Sequence, residues 1–506
     1  MRSFSRSSTA GSRYIWDGSV EARAVPVSSL AMREHCRSVA ASLAIVNGQV
    51  WSRPGLSAVA VDGERITFVG AGSLQADRVI DAAGASILPA FNDAHVHFLM
   101  GSRSLSELDL HGVATQAEIE RRIIEYARGH AGQWLVGRGW FYSAFPGGMP
   151  TFGLLDRLVA DRPAYIESFD AHTGWANSRA LAIAGIPGAG VLKEGALLDV
   201  TRHIPARTKA EDLDALRAGM RLAASRGIGS VQEAGDGQNQ LELWTALRDA
   251  GELTLRVRLA YDLTPGLDLD AYNGLPRQGD AWVATGILKA FADGVVESHT
   301  AAMLEPYAGS NERGDPIWGP DQLRDAVRDA DARGWQVQVH AIGDAAIGQA
   351  LDAFEGTTRG RRHRVEHIET PHPTDVARFA RLGVVASMQP QHSDPKLTEV
   401  WRRHLGPARA TRGWPWRELG RSGAHVAFGT DWPVVRLDPW ASLQAARDIS
   451  RDDAIRAWTE GSAYAEHSET NKGDVREGML ADIAVVDLET GEVKATVVGG
   501  RLVYEG

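Results

Sequence analysis

Between residues 86 and 431 the chain returns eight times to a short β-type run, and helical patterns separate several of the returns. The runs are the segment entering His95, then 229–232, 255–259, 286–291, 336–340, 364–368, 384–388 and 426–428. Leu323, Val327 and Ala330 mark one face of an intervening helix. Parallel strands alternating with helices predict an α/β fold, a TIM-like (β/α)8 barrel. The span from His111 to Arg226 is too long for one connection. It is read as an insertion, residues 111–226, after the first barrel strand.

The two ends of the chain read differently. Residues 42–87 carry short strands around Asn47-Gly48 and Asp62-Gly63, both hairpin signals. Strand-like runs return at 483–486, 495–498 and 502–504. Residues 42–87 and 470–506 are therefore expected to pair into one small β-sandwich domain, with 88–469 as the barrel between them. Thr115 with Glu118 and Thr208 with Glu211 predict two capped helices. Residues 1–41 lack the apolar core of a secretory signal and are expected to be a poorly ordered extension, with Met32 as a candidate alternative start.

In such barrels the chemistry sits at the C-terminal ends of the strands. His95 and His97 are two apart, so on a strand they face one side. Later strand ends supply Lys289, His340, His367 and Asp431. Each has an ordinary alternative: an ion-paired lysine, a buried histidine, a turn-capping aspartate. Together, at successive strand ends, they point to a metal centre. The chain has one cysteine, Cys36, which excludes a disulfide framework and a Cys-rich zinc site. The ligands must then be imidazole and carboxylate-type groups, a set that suits Zn2+, with Mn2+ or another first-row divalent ion open, as one ion or two.

Composition narrows the partners. The 506 residues carry a net charge of −10 and no Lys/Arg-rich run, which argues against nucleic acid. No stretch approaches the roughly 18 consecutive apolar residues of a membrane span. The expected partner is a small-molecule substrate and the expected location the cytoplasm, with homodimerisation left open.

The stretches ILPAFNDAHVHF, GRGWFYSAFPGG, RPAYIESFDAHTGWANSRALAIAGI, LKAFADG, VHAIGDAAI, HRVEHIE, SMQP and FGTDWPV, with the ending GDVREGMLADIAVVD, resemble the amidohydrolase superfamily. The likeness is greatest to the branch that contains N-substituted formamide deformylase. The resemblance implies a metal-dependent hydrolase with His95, His97, Lys289, His340, His367 and Asp431 at its metal centre. It also implies that Lys289 is carboxylated and bridges a binuclear site. Physical chemistry agrees, because an ammonium is repelled by divalent cations whereas a carbamate offers anionic oxygens. Phe141 and the run Glu297-Ser298-His299 depart from the family's pattern around the substrate.

The expected reaction is hydrolysis of a non-peptide carbon–nitrogen bond, as in an N-substituted amide or formamide, by activated water. Asp431 is expected to carry the proton, and His172, by resemblance and by its place after a strand-like run, to contact substrate. Trp140 and Trp175 are expected to wall the pocket. A metal-assisted lyase or isomerase on the same scaffold is the alternative, because fold does not fix reaction.

Overall fold

Strands of an α/β barrel are covered by helices outside and by packed side chains inside, so they are buried along their length. The strands β1 (Phe91–Val96), β2 (Ile228–Glu233), β5 (Gln336–Ala341), β6 (Arg364–His367), β7 (Val385–Met388) and β8 (Val426–Phe428) are buried at every position. With β3 (Arg256–Asp262) and β4 (Val283–Phe291) they form one sheet in sequence order, all neighbours parallel. This is a computed structural model, and it describes residues 41–506 other than Phe152, Ala189 and Glu194. The expected N-terminal extension, with Met32 and Cys36, lies outside the described residues except for Ala41.

The ring closes just past the strand ends. Asp431 N–H donates to the His95 carbonyl at 2.7 Å, and His97 N–H to the Trp432 carbonyl at 2.8 Å. Inside, the barrel is held by a buried cation rather than by branched apolar layers alone. Arg364 reaches the Ala94 carbonyl at 2.7 Å, Gln338 at 2.6 Å, Glu366 at 2.8 Å, and also Gln232. One guanidinium therefore ties β1, β2, β5 and β6 together beneath the strand ends, with its donors satisfied as burial requires.

Strands from both ends of the chain share a sheet: Ser86–Pro89 pairs with Ile483–Val486, which pairs with Val493–Val498. A second sheet holds Leu43–Val46, Ala58–Asp62, Arg65–Gly70 and Arg78–Asp81. Leu43, Ile45, Val59, Ile87, Ile483 and Val497 meet in one core between them. The Asp62-Gly63 turn joins a hairpin, with Asp62 opposite Arg65. Asn47-Gly48 does not. The chain turns there, with Asn47 at φ 56°, but Gln49–Val50 leaves to pair with Ser86–Pro89 in the other sheet. A turn signal fixes the bend, not the partner.

The insertion builds its own sheet, from Leu108–Asp109 through Leu135–Trp140, Ala164–Ser168 and Thr173–Ala176 to Val191–Lys193. Helix α2 (Lys209–Ser225), which the sequence reading placed in the insertion, packs on the barrel instead. Gly219 lies against α1 (Phe98–Ser104), where an added Cβ would sit 2.0 Å from Ser102 Oγ. Asp212 takes Arg103 bidentately at 2.7 and 2.8 Å. α2 keeps the expected capping box, Thr208 with Glu211. At Thr115 only half of one forms, because Glu118 turns to Arg121 and Arg122.

Candidate metal centre

His95 sits inside β1 and His97 just beyond it, and both Nε2 atoms lie 3.5 Å from Asp431 Oδ1. Lys289, near the end of β4, is buried, with Nζ 3.4 Å from His95 Nε2. His340 is next to last in β5 and His367 ends β6, with ring centroids 4.4 Å apart; His367 is 4.8 Å from the His95 ring. The structure thus brings all six strand-end residues to one place.

Local sequence explains the placement. Asp93 accepts from Thr430 N–H at 2.9 Å and Thr430 Oγ at 2.6 Å, pinning the segment after β8 onto β1. Gly429 is required there, since a Cβ would lie 2.5 Å from His95 N. Asp293, in the Ala-Asp-Gly turn after β4, accepts from Ala302, Ile342 and Gly343 N–H at 2.9, 3.0 and 2.8 Å and so fixes the turn after His340. Positive φ at His367 (72°), Ile368 (52°) and Asp431 (62°) marks backbone held in a disfavoured region. Such residues persist where the surroundings over-determine them, and they cluster at functional sites.

The imidazoles are oriented for a cation. His95 Nδ1 meets Glu366 at 2.7 Å, and Glu366 is itself held by Arg364. His97 Nδ1 is 3.9 Å from Glu233, and His340 Nε2 is 3.1 Å from the Gly294 carbonyl. In each ring one nitrogen faces a protein oxygen and the other is left for the centre, the arrangement that fixes tautomer in metal-bound histidines. Burial, reinforced by the Lys289 charge, holds His95, His340 and His367 well below the usual histidine range. His97 is pulled down to about 3, chiefly by burial. Neutral rings keep their lone pairs for a ligand role. Burial also pushes Asp431 up to about 6 and Lys289 down to about 8.

The donor set fits a divalent ion. Asp431 Oδ1, His367 Nδ1 and His392 Nε2 are buried and lack a hydrogen-bond partner among the described residues. Buried polar atoms are nearly always paired, so orphans gathered around the Asp431 carboxylate fit a bound cation. One donor atom each from His95, His97 and Asp431 lies within 4.8 Å of the others, and the same holds for His367, His392 and Asp431. His392 was missed in the sequence. It stands in the turn Pro390–Ser393 just past β7, two residues beyond the motif Ser-Met-Gln-Pro. The positioning carboxylates Glu366, Glu233 and Glu369 were missed as well. Only the alternation of Arg364 and Glu366 along β6 signals an inward-facing ion pair.

Above the centre lies a cavity of about 860 Å³. His172 lines it, its ring centroid 5.9 Å from that of His340, and its backbone N–H donates to Asp170 Oδ1 at 3.1 Å. Trp140 and Trp175 do not line it, which corrects the sequence expectation. Both are fully buried in the insertion's own core with Phe145, and Trp140 Nε1 donates to the Ile166 carbonyl at 3.0 Å. The insertion presents Phe169, His172, Leu197 and Leu198 to the cavity instead.

A parallel barrel with inward imidazoles and carboxylates at its strand ends defines a metal-dependent hydrolase that uses a divalent ion. The model of the amidohydrolase family matches residues 78–504, and the chain belongs to that family. It is similar to Protein LONG AFTER FAR-RED 3 of Arabidopsis thaliana, 27% identical over 92% of each chain. It is also similar to N-substituted formamide deformylase of Arthrobacter pascens, 24% identical over 88% of this chain and 95% of that one. Among solved structures, an uncharacterized metal-dependent hydrolase from Pyrococcus furiosus matches with a TM-score of 0.69 and 26% identity, over 88% of this chain and 98% of that one. Among the described residues, no helix is long and apolar enough to cross a membrane.

Proposed function

We propose that the enzyme hydrolyses the carbon–nitrogen bond of a neutral or cationic N-substituted amide, a formamide being the simplest case. The observation that carries this reading is the cavity lining. Its acidic groups outnumber its cations, Asp170, Asp236 and Asp262 among them, while Glu167 is paired with Arg138 and burial pushes Glu297 up towards the neutral acid. Of the lining cations, Arg103 is committed to Asp212, and Lys289 lies beside His95. An anionic substrate such as an N-acyl amino acid finds no free counter-charge among the described lining residues. Apolar groups complete the wall and rim, with Leu198 69% and Ile317 49% exposed, and suit an apolar substituent on nitrogen. The similarity to a formamide deformylase supports the same bond type.

His95, His97, His340, His367 and Asp431 would hold the metal, and Lys289, if carboxylated, would add a further anionic ligand; imidazole nitrogen and carboxylate-type oxygen favour zinc. A bound divalent ion supplies Lewis-acid polarisation of the carbonyl and acidification of a water. Asp431 would accept the proton lost from water and deliver it to the leaving nitrogen, so that an amine departs rather than an amide anion. His172, on the cavity wall beside His340, would donate to the carbonyl oxygen in this reading. The lysine carbamate forms when Lys289 Nζ bonds to the carbon of CO2 and loses a proton to water.

A panel of N-formyl and N-acyl amines, N-acyl amino acids and esters, assayed with metal-loaded enzyme in heavy-oxygen water, tests the reading. Release of amine with label in the carboxylate product, greatest for uncharged amides with apolar N-substituents, is expected. Turnover without label in product refutes hydrolysis, and preference for N-acyl amino acids refutes the substrate class. Chelation should abolish turnover, and zinc or manganese should restore it.

A further inference from the structure

We infer that His392 is a metal ligand supplied by the turn after the seventh strand, and that with His367 it forms a second donor set on the Oδ2 side of Asp431. The inference rests on the metal-dependent reading of the centre and adds a residue outside the six strand-end ligands.

The geometry is that of a ligand histidine. His392 Nδ1 lies 3.4 Å from Glu369 Oε1. Glu369 is itself fixed: its Oε2 accepts from Trp401 Nε1 at 2.8 Å, and its carbonyl accepts from Trp414 N–H at 2.9 Å. A proton on Nδ1 directed at Glu369 leaves the lone pair on Nε2. That nitrogen points at Asp431 Oδ2, 3.7 Å away, and His367 Nδ1 approaches the same oxygen at 3.9 Å. The two rings lie nearly parallel, with centroids 5.9 Å apart. His95 is built the same way on the other side, with Nδ1 on Glu366 and Nε2 3.5 Å from Asp431 Oδ1. The carboxylate of Asp431 thus stands between two sets of imidazoles, one facing each oxygen.

Two observations favour a ligand over a substrate contact. His392 lines the cavity, but whereas a group that binds substrate exposes its polar atom, His392 Nε2 is buried. It and His367 Nδ1 are both left without a hydrogen-bond partner among the described residues, a costly state for two neighbouring nitrogens unless something between them accepts both lone pairs. Two imidazoles and a carboxylate oxygen match the donor preferences of zinc and other late first-row ions rather than those of calcium or magnesium. The carboxylate behind the outer nitrogen is the usual support of such a ligand.

The test uses the full chain, stripped of metal and reloaded with Zn2+ or Co2+ in metal buffers, for the native protein, His392→Gln and Glu369→Gln. Bound metal per chain and the visible Co2+ spectrum are read alongside far-UV circular dichroism. Glu369→Gln is expected to weaken one ion about 10–100-fold, and His392→Gln to weaken it further and change the Co2+ spectrum. If His392→Gln does not fold, Glu369→Gln carries the test alone. Native affinity, stoichiometry and Co2+ spectrum in the folded variants overturn the inference, even if turnover is lost, because His392 then acts on substrate. Loss of metal from His392→Gln in an enzyme that cleaves no amide leaves this inference standing and removes the amide reading.

Discussion

Glu366→Gln tests how the fold and the metal centre are joined. Glu366 is fully buried and touches two charged or ligating groups, Arg364 at 2.8 Å and His95 Nδ1 at 2.7 Å. The other partners of Arg364 are neutral: the Ala94 carbonyl, Gln232 and Gln338. Neutralising Glu366 therefore leaves a buried guanidinium without its counter-charge, a change that costs about 3–5 kcal/mol. It also weakens the hold on the His95 tautomer, which should lower metal affinity about 10–100-fold, or about 1.4–2.8 kcal/mol. Metal-free protein unfolded in urea reads the first effect, and zinc competition against a chelator reads the second. Glu366→Asp keeps the charge but shortens the reach, so it should recover more stability than metal affinity. Metal-free Glu366→Gln within about 1 kcal/mol of native, with native zinc affinity, would show that the Arg364–Glu366–His95 chain holds neither fold nor ligand.

Lys289→Ala should reduce bound metal from two ions towards one or none, with partial rescue by a short carboxylate; native protein with one ion and no added carboxyl mass refutes the carbamate bridge. Trp140→Ala should destabilise the protein by about 3–5 kcal/mol while leaving KM of the folded enzyme unchanged, because the ring packs inside the insertion; a raised KM at native stability would return it to the pocket wall. His363, stacked on Phe354 with Nδ1 accepting Val337 N–H at 3.0 Å, is pulled from 6.5 to about 4, chiefly by burial. The unfolded chain binds the proton more readily, so this stability is full above about pH 6.5 and is lost as pH falls towards 4. His363→Gln should flatten that slope in urea titrations, and an unchanged slope defeats the assignment.

The barrel strands were legible because their ends carry chemistry at regular intervals and their interiors repeat one pattern. β6 could be placed from residues 364–368 and β8 from only 426–428, since the helices between them left few alternatives. The six strand-end residues followed from the same logic. His392 did not, because it lies in a 3-10 turn past the end of β7, where strand periodicity no longer says which way a side chain points. Trp140 and Trp175 misled for a related reason. An aromatic in a Gly-rich stretch reads as a pocket wall, but burial in a small separate sheet depends on partners such as Phe145 that no local pattern identifies. Helix α2 falls inside the span 111–226 that length alone assigns to the insertion, and its capping box marks where a helix begins, not which body it packs against.

Barrel closure and the metal centre are one structural device. The backbone bonds that join β8 to β1 use the carbonyl of His95 and the amides of His97 and Asp431, the same residues whose side chains face one another at the centre. Asp93 reinforces the join through Thr430, and Gly429 lets the two backbones touch. Positive φ at Asp431 costs of order 1–3 kcal/mol, and its amide is held at the seam by the His95 carbonyl. Loosening the seam at Asp93 should therefore move Asp431 relative to His95 and His97 without touching any donor atom. Loops carry most of the cavity wall, where substrate choice can vary, while the six candidate strand-end ligands stand on the ring of strands. A metal site needs its donors held to a fraction of an ångström, and a closed barrel supplies that rigidity from every side.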